Sequence, residues 1–369
     1  MKRVAKIAGK IMLYVLGGVV AFIAFVWLFL TFAPQIGRAP DSSSRQAFAL
    51  KTPLFYDNQF HNAKSTRVMT EKSAPKDARV RPQLLLPCAT PDITTPLEDG
   101  DATLAWCGHS SLLFRLGAKF ICIDPVTSDR ASPVNFAGPK RFAEVPILPE
   151  AFPKLDVVFI SHDHYDHLDY KLIQKIDSKV QKYLVPLGVD SYLIGWGVDS
   201  SKIHSLAWWE SVKLDGITYT LTPSQHFSGR NPLKMNVSLW GGLFFTDGVR
   251  SIYYTGDSGY CDVFTEVFER LGAPDLMLAD SGQYNVAWAE IHMTPNQSVQ
   301  AAKDARAKWF IPIHWGAFVL SNHAWDAPPQ LARTAAKELD VNVATPRIGQ
   351  TIDLDNLVKY QEEWWKEYE

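Results

Sequence analysis

The sequence predicts a mixed α/β (α+β) protein in which two β-sheets pack together between outer helices, behind one N-terminal transmembrane helix. Three observations support this prediction. A 22-residue segment without charges, 11–32, comes first. Early strand pairs then give way to mixed strands and helices, which fits two packed sheets. Finally, histidines and aspartates follow directly after several predicted strands, where α/β sheets commonly bind their ligands.

Residues 1–34 are predicted to form a membrane anchor. As a helix, segment 11–32 spans about 33 Å, which is enough to cross the core of a bilayer. Lys2, Arg3, Lys6 and Lys10 precede it. This charge bias predicts a single-pass protein with a cytoplasmic N-terminus and a catalytic domain on the outer, periplasmic face of a bacterial inner membrane. A cleaved signal peptide is the alternative, although its apolar core is usually only about 7–15 residues long.

The rest of the chain divides into two regions. Residues 35–99 are rich in Pro, Ser, Asp, Lys and Arg and are predicted to be a linker and an extension laid over the catalytic domain, which we place at 100–369. The formal net charge of −2 argues against a nucleic-acid partner, because such proteins are usually clearly basic. The four cysteines show no C-x-x-C spacing and indicate neither a disulfide framework nor a zinc finger.

Apolar periodicity and turn residues predict the elements of the catalytic domain. A hairpin of strands 102–115 and 119–125 comes first. Further strands are predicted at 155–160, 183–186, 203–206, 212–214, 218–222, 237–246, 251–255, 276–278 and 309–313. Helices are predicted at 168–179, 189–196, 262–271, 295–305 and 330–339, and from residue 354 onward.

The densest chemical signal follows the apolar run 157–160. His162, His164, Asp166 and His167 lie within six positions and can all bind a metal ion. Imidazole together with carboxylate suits zinc, iron, nickel or manganese better than calcium or magnesium. His162 and His164 could converge on one ion, with Asp166 and His167 turned toward a second. A solvated polar loop is the alternative, but three of the ten histidines fall in this short stretch.

The same pattern recurs farther along the chain. His226 follows predicted strand 218–222, Asp257 follows 251–255, and His314 follows 309–313. Since the carboxyl ends of neighbouring strands meet at one edge of a sheet, these side chains are expected to join the 162–167 cluster.

The H-x-H-x-D-H run resembles the signature of the metallo-β-lactamase superfamily. Other stretches resemble one branch of it, the N-acylphosphatidylethanolamine-hydrolysing phospholipase D family and its bacterial relatives. These stretches are 106–110, 123–126, 130–133, 138–142, 161–169, 238–241, 254–260 and 313–316. The resemblance covers roughly residues 100 to 325, and it implies the four-layer αββα fold.

The resemblance also implies a ligand set and a mechanism. His162, His164 and His226 would hold one zinc ion, Asp166, His167 and His314 would hold the other, and Asp257 would bridge both. Iron or manganese in place of zinc is not excluded. A hydroxide bridging the two ions would attack phosphorus, with the ions stabilising the developing charge. Asp166, Asp257 and His292 are the predicted catalytic residues; His292 is the proton donor to the leaving group, unless it is merely an exposed histidine at a helix start.

Five further residues are predicted around this centre. Asp124 is expected to orient the ligand histidines, and His109 is expected either to line the pocket or to have a structural role. Arg230 and Lys234, in the loop after His226, could meet a phosphate, although loop charges are equally often simply solvated. Tyr284 lies in the stretch 279–284, which departs from the family pattern and lines the predicted substrate pocket.

We therefore predict a membrane-anchored dinuclear zinc hydrolase that cleaves a phosphodiester, phospholipase D-like, on N-acylphosphatidylethanolamine or a related phospholipid. The predicted partners are the phospholipid and the membrane; a homodimer is left open. One alternative is hydrolysis of a lactone, β-lactam or other small molecule at the same metals. The other is a non-catalytic, metal-stabilised binding protein, against which a complete set of seven ligands argues.

Overall fold

Two β-sheets pack face to face in the catalytic region, and helices cover the outer face of each. This is the four-layer αββα arrangement that the resemblance implied. The computed structural model describes residues 2–98 and 100–369. The boundary predicted at Asp99 therefore falls on a residue outside the described ones, as does the first residue of the predicted anchor.

The helices alternate with strands through most of the chain. They are α1 (Lys2–Phe32), α2 (Ser42–Lys51), α3 (Tyr170–Ile176), α4 (Asp190–Gly195), α5 (Val263–Leu271), α6 (Pro295–Asp304) and α7 (Ala327–Leu339). A short hairpin of β1 (Phe55–Tyr56) and β2 (Gln59–Phe60) follows α2.

The first sheet has seven strands in the order β15-β3-β4-β5-β6-β7-β8. They are β3 (Ala102–Trp106), β4 (Leu112–Leu116), β5 (Lys119–Ile123), β6 (Leu155–Phe159), β7 (Val180–Pro186), β8 (Ile203–Leu206) and β15 (Thr351–Asp353). Strands β5 to β8 run parallel, whereas β15, β3, β4 and β5 pair antiparallel.

The second sheet has six strands in the order β14-β13-β12-β11-β10-β9. They are β9 (Ser211–Leu214), β10 (Ile217–Thr222), β11 (Gly242–Thr246), β12 (Ser251–Tyr254), β13 (Leu276–Asp280) and β14 (Trp309–Ile313). Strands β12, β13 and β14 run parallel. Each sheet thus has a parallel part whose strands end at one edge, and these two edges carry the site.

The apolar side chains form one layer between the sheets and one outside each of them. Phe114 of the first sheet meets Phe245 of the second, with ring centroids 5.3 Å apart. Leu172 of α3 and Leu193 of α4 pack on the outer face of the first sheet. Helices α5, α6 and α7 cover the outer face of the second. A strand buried on both faces reads as a continuous apolar run, which is why β6 was recognisable in the sequence.

The N-terminal helix α1 is long enough and apolar enough to cross a membrane, by length and composition. Within residues 6–32, the 18-residue window that defines the span has a mean hydropathy of 2.5 and is not buried against the rest of the protein. The segment that follows α1 contains helix α2 and hairpin β1–β2 and makes hydrogen bonds to residues beyond 100, such as that from Asn62 Nδ2 to the His226 carbonyl. Asp41 caps α2 by accepting a hydrogen bond from the Ser44 backbone at 2.8 Å.

Several predicted elements differ from the structure. The predicted strand 102–115 is two strands, because Gly108 and His109 adopt left-handed backbone angles that turn the chain between them. Predicted strand 237–246 shrinks to β11, since residues 238–241 leave the sheet and Gly241 donates instead to the Ser161 carbonyl. The terminal helix predicted from residue 354 is wrong: the chain there forms short 3₁₀ turns that bury Trp364 and Trp365.

Candidate metal centre

The candidate site lies where the two parallel edges meet, and each of its strands ends one to three residues before a polar side chain. Strand β5 delivers Asp124, β6 delivers His162, β12 delivers Asp257 and β14 delivers His314, while Asp280 is the last residue of β13. The strands are buried at their ends, so the polar side chains after them are buried too.

The loop after β6, which carries four of the predicted ligands, is held by its own hydrogen bonds. The backbone of His167 and that of Leu168 both donate to the His164 carbonyl, which turns the loop back on itself. Asp169 then caps α3, accepting from the Lys171 and Leu172 backbones at 3.0 and 3.3 Å. A capped helix start fixes where the loop ends and thereby the positions of the side chains before it.

Three histidines form a first group. His162 Nε2 lies 2.9 Å from His164 Nδ1, which in turn lies 3.4 Å from His226 Nε2. The three nitrogens are all within 4.8 Å of one another. His226 donates from its other nitrogen, Nδ1, to the Ile291 carbonyl at 3.1 Å. Its Nε2 is therefore aimed at the group.

A second group consists of Asp166, His167 and His314, joined by His109. His167 Nε2 lies 3.5 Å from Asp166 Oδ2. His109 Nε2 lies 2.8 Å from the same carboxylate oxygen, so His109 contacts a predicted ligand directly. Ser110 Oγ lies 2.9 Å from His314 Nδ1.

Asp257 lies between the two groups. Its Oδ2 is 3.8 Å from the Nε2 atoms of His162 and His226 and 3.1 Å from His167 Nε2. Its Oδ1 is 3.2 Å from His314 Nδ1. All seven predicted ligands are thus brought together, although they are spread over 153 positions from His162 to His314.

Burial and the two carboxylates determine the charge of the cluster. Desolvation lowers the pKa of His162, His164, His226 and His314, which favours neutral imidazole, the form that binds metals. Burial also opposes charge on His167, but the negative charges of Asp257 and Asp166 outweigh it and raise the pKa of that residue. Burial raises the pKa of Asp257, but the neighbouring His167 and His314 lower it more. The pKa of this carboxyl is therefore well below its usual value.

Asp124 orients this centre from behind. It accepts from the Ser161 backbone at 2.7 Å, lies 2.7 Å from His167 Nδ1 and accepts from the Tyr254 hydroxyl at 2.6 Å. These contacts fix the His167 ring with Nε2 facing the cluster. Asp124 thus lies behind the predicted ligand His167, where it can orient that ring.

His292 and Asp280 form a pair at the rim. His292 Nδ1 lies 2.7 Å from Asp280 Oδ2. Burial raises the pKa of Asp280 to about 7, even though His292 opposes the shift. Burial lowers the pKa of His292, but the Asp280 carboxylate overcomes this and raises it. Asp280 was not singled out from the sequence, because predicted strand 276–278 ended two residues before it.

The backbone at the site is constrained. His109, Asp124 and His314 all have positive φ angles, of 54°, 41° and 67°. Non-glycine residues in this region are uncommon and are often found at functional sites. Gly282 supports this arrangement from the side, because a Cβ there would lie 2.0 Å from the His314 carbonyl oxygen.

A cleft of about 220 Å³ opens above the cluster. Its polar side presents His164, Asp166, Asp257, His292 and His314 together with Gln283. Its other walls are apolar and are formed by Val68, Met69, Phe227, Trp288, Ile291 and Leu320. A cavity of about 280 Å³ lies elsewhere, beside Tyr165 and Asp169, and its lining contains none of the seven predicted ligands.

The three predicted substrate contacts, Arg230, Lys234 and Tyr284, do not line this cleft. Arg230 is buried, with Nη1 donating to the Asp163 and Leu168 carbonyls at 3.0 and 2.8 Å and Nε donating to the Gln35 carbonyl at 2.9 Å. Lys234 lines a separate cavity at the end of α1. Tyr284 stacks on His323, with ring centroids 4.3 Å apart, and its neighbour Gln283 lines the cleft instead.

The donor set fits bound metal ions. Nitrogen and carboxylate ligands converge within bonding reach of common centres. Among the described residues, His167 Nε2 and Asp257 Oδ1 are buried side-chain atoms without a hydrogen-bond partner. Buried polar atoms rarely stay unpaired, and an ion held in the cluster would supply a partner for both.

The fold and this cluster define a metallohydrolase of the metallo-β-lactamase superfamily, to which the chain belongs. A family model described as a beta-lactamase superfamily domain matches residues 119–315. The solved structure of Igni18, a metallo hydrolase from Ignicoccus hospitalis, has the same fold, with a TM-score of 0.53 and 20% identity. The alignment covers 69% of this chain and 98% of that one.

Two relatives extend the match in sequence. An uncharacterized protein of Mycobacterium tuberculosis is 34% identical over 343 residues, which are 88% of this chain and 91% of the relative. The N-acyl-phosphatidylethanolamine-hydrolyzing phospholipase D 1 of Caenorhabditis elegans is 37% identical over 247 residues, which are 63% of this chain and 68% of the relative. The resemblance to this phospholipase D branch, which the motifs indicated, is therefore confirmed.

Proposed function

We propose that this chain is a membrane-anchored, dinuclear zinc phosphodiesterase that acts on a phospholipid in the manner of a phospholipase D. The proposed substrate is N-acylphosphatidylethanolamine or a related lipid. The observation that carries this proposal is the position of Asp257 between two groups of ligands, on the floor of a cleft whose other walls are apolar. Similarity to the C. elegans phospholipase D supports the substrate class.

The predicted ligands form two sets, one for each metal ion. His162, His164 and His226 would hold one ion, Asp166, His167 and His314 the other, and Asp257 would contact both. Bound zinc would supply a Lewis acid for the phosphoryl oxygens and would acidify water toward neutral pH. Asp124 and His109 keep His167 and Asp166 in place, so that little reorganisation is needed when the substrate arrives.

His292 would protonate the leaving alkoxide. It lines the cleft, and its Nδ1 is held by Asp280, which leaves Nε2 for the substrate. Because Asp280 raises the pKa of His292, the imidazole keeps a proton to a higher pH than it would alone. The apolar walls of the cleft, including Trp288 and Phe227, would accommodate the lipid carbons next to the phosphate.

The membrane anchor would hold the cleft close to its substrate. Helix α1 has the length and hydropathy of a single membrane span. The lysines and arginine before it would keep the N-terminus in the cytoplasm, which would place the catalytic domain on the outer face of a bacterial inner membrane. A homodimer stays a prediction.

The proposal can be tested with the purified full-length protein in neutral detergent micelles. Metal analysis should find about two zinc ions per chain, and N-acylphosphatidylethanolamine should yield phosphatidic acid and N-acylethanolamine. In water enriched in oxygen-18, the label should enter phosphatidic acid, because attack occurs at phosphorus. Turnover of lactones or β-lactams in preference to phosphodiesters would favour the small-molecule alternative. Bound metal without hydrolysis of any ester would favour the non-catalytic one.

A further inference from the structure

The junction between α1 and the catalytic domain is built from specific hydrogen bonds. Asn231 Nδ2 donates to the Leu30 carbonyl at 2.9 Å, Trp196 Nε1 to the Pro34 carbonyl at 2.7 Å, and Arg230 Nε to the Gln35 carbonyl at 2.9 Å. Gly37 packs against the ring of Tyr192, where a Cβ would lie 2.4 Å from a ring carbon. The domain is thus fixed directly against the end of the apolar helix.

A cavity of about 230 Å³ lies inside this junction. One side of it is the end of α1 and the chain that follows, from Leu30 to Ala39. The other side is Tyr192 with Asn231 and Lys234. One water molecule takes up about 30 Å³ of liquid, so the cavity has room for a group several times larger.

The lining of this cavity is basic. Arg38 enters from the chain after α1 and Lys234 from the loop after the metal ligand His226, and both side chains are exposed. Thr31 and Asn231 add polar groups. Among the described residues that line the cavity, none is acidic. Two cations converging from separate segments favour an anion with several oxygen atoms.

The depth of the cavity indicates where the anion comes from. If α1 spans a bilayer, its end at Phe32 lies at the level of the lipid headgroups. Leu233, next to Lys234, exposes 67% of its surface, and nearby Ile194 exposes 47%. An apolar side chain beside a cation suits a membrane interface, where the former enters the acyl region and the latter stays at the phosphates.

The geometry points to a binding site for the phosphate of an anionic phospholipid in this cavity, held by Arg38 and Lys234 and separate from the metal centre. Resting on the proposed membrane anchor, the inference adds a lipid that is bound without being hydrolysed. This lipid would fix the loop 230–235 on the membrane surface, and the same loop begins four residues after the ligand His226.

Native mass spectrometry of the full-length protein tests the site. Protein in neutral detergent is incubated with equal amounts of phosphatidylglycerol and phosphatidylcholine, and the retained lipids are counted. Wild type should retain phosphatidylglycerol in preference to phosphatidylcholine. The Arg38→Gln, Lys234→Gln double variant should lose that preference by roughly thirtyfold, since each of the two cations near a lipid surface contributes about 1 kcal/mol.

The matched control is Lys303→Gln with Lys337→Gln, which removes the same charge from exposed positions on α6 and α7. It should retain phosphatidylglycerol as wild type does. Equal retention by wild type and the Arg38, Lys234 variant would overturn the inference. Displacement of the lipid by millimolar inorganic phosphate would also overturn it, in favour of a free-anion site. Release of wild-type protein from membranes by alkaline carbonate would instead contradict the anchor itself.

Discussion

At the scale of single residues, Asp257 occupies the centre of the candidate site, between the two groups of predicted ligands. It is buried, and each of its oxygens faces imidazoles from a different stretch of chain. Four imidazoles face this carboxylate, those of His162, His167, His226 and His314. Without it, these buried nitrogens would lose a polar neighbour, which is costly away from water. Its carboxylate therefore serves both the charge balance and the spacing of the cluster.

Replacing Asp257→Asn should leave the fold intact, because the amide has the same shape and size. It should lower turnover at least about a hundredfold, as expected for the loss of a group that organises bound metal. Turnover, metal content and thermal unfolding of the purified protein measure these effects. The control is Asp215→Asn, in an exposed Asp-Gly turn where asparagine is equally suitable. Wild-type turnover in the Asp257 variant would contradict its assigned role.

His292→Gln should lower kcat about a hundredfold on a phosphodiester with an alkoxide leaving group, since a positioned general acid contributes roughly 10²–10⁴-fold. The defect should be small with p-nitrophenolate, which leaves without a proton. The comparison of the two leaving groups separates proton donation from simple damage to the cleft. His61→Gln, outside the cleft, serves as control. An equal loss on both substrates would show that His292 has another role.

The residue scale also shows what sequence reasoning can reach. The seven predicted ligands, which the structure brings together, could be picked out because they follow recognisable strands in an order that the resemblance supports. Asp280 was not, since its signal is only its contact with His292, which lies 12 positions away. Arg230 was predicted to contact the substrate because its loop follows the predicted ligand His226. Its burial among backbone carbonyls depends on Gln35, nearly 200 positions earlier, and no local pattern shows this.

At the scale of elements, the segment 62–74 forms one wall of the cleft. Val68 and Met69 line the cleft, and the segment is tied down on either side of them. The Arg67 backbone and Nε donate to Glu290 at 2.7 and 2.8 Å, and the Thr70 backbone donates to the Ala287 carbonyl at 2.6 Å. This wall was predicted only as an extension laid over the domain, because its apolar residues are scattered and show no period.

Arg67→Ala should loosen this wall and raise KM for a lipid substrate severalfold, with a smaller change in kcat. The physical reason is that Val68 and Met69 would lose their fixed position beside the acyl carbons, while the metal cluster is untouched. Exposed surface ion pairs contribute only about 0.2–1 kcal/mol, so global stability should change little. Kinetics on lipid and on a small soluble diester measure the split. Arg81→Ala, an exposed arginine of the same extension, is the control. A KM effect of equal size on both substrates would contradict this assignment.

At the scale of the whole molecule, bound metal should contribute to stability, because the cluster joins strands of both sheets. A ligand that binds only the folded state stabilises it by about 4 kcal/mol at a thousandfold excess over its Kd. Treatment with a chelator should therefore lower Tm by several degrees and abolish activity. Zinc should restore both, and magnesium should not, since nitrogen ligands suit it poorly. An unchanged Tm together with full activity would show that the cluster holds no metal.

The layered architecture was predictable from the alternation of strands and helices, whereas the closing elements were not. Strand β15 has only three residues, and it pairs with β3 across almost 250 positions. The tryptophans near the C-terminus were predicted to lie on a helix, but they pack in the apolar core against Trp315, with a ring-centroid distance of 5.5 Å from Trp364. Long-range packing overrides local propensity in such segments.

The hydrogen bonds from Trp196 and Arg230 bear on any attempt to prepare a water-soluble version of the protein. A shortened chain that starts after Gln35 would deprive both buried donors of their acceptors, at a cost of about 1–3 kcal/mol for each. A chain that starts at Ala33 would lack the apolar helix α1 but would keep both acceptors, the Pro34 and Gln35 carbonyls. Arg230 also donates to the Asp163 and Leu168 carbonyls in the loop that carries the predicted ligands. The starting residue of a shortened chain would thus determine whether that loop keeps its conformation without the lipid bilayer.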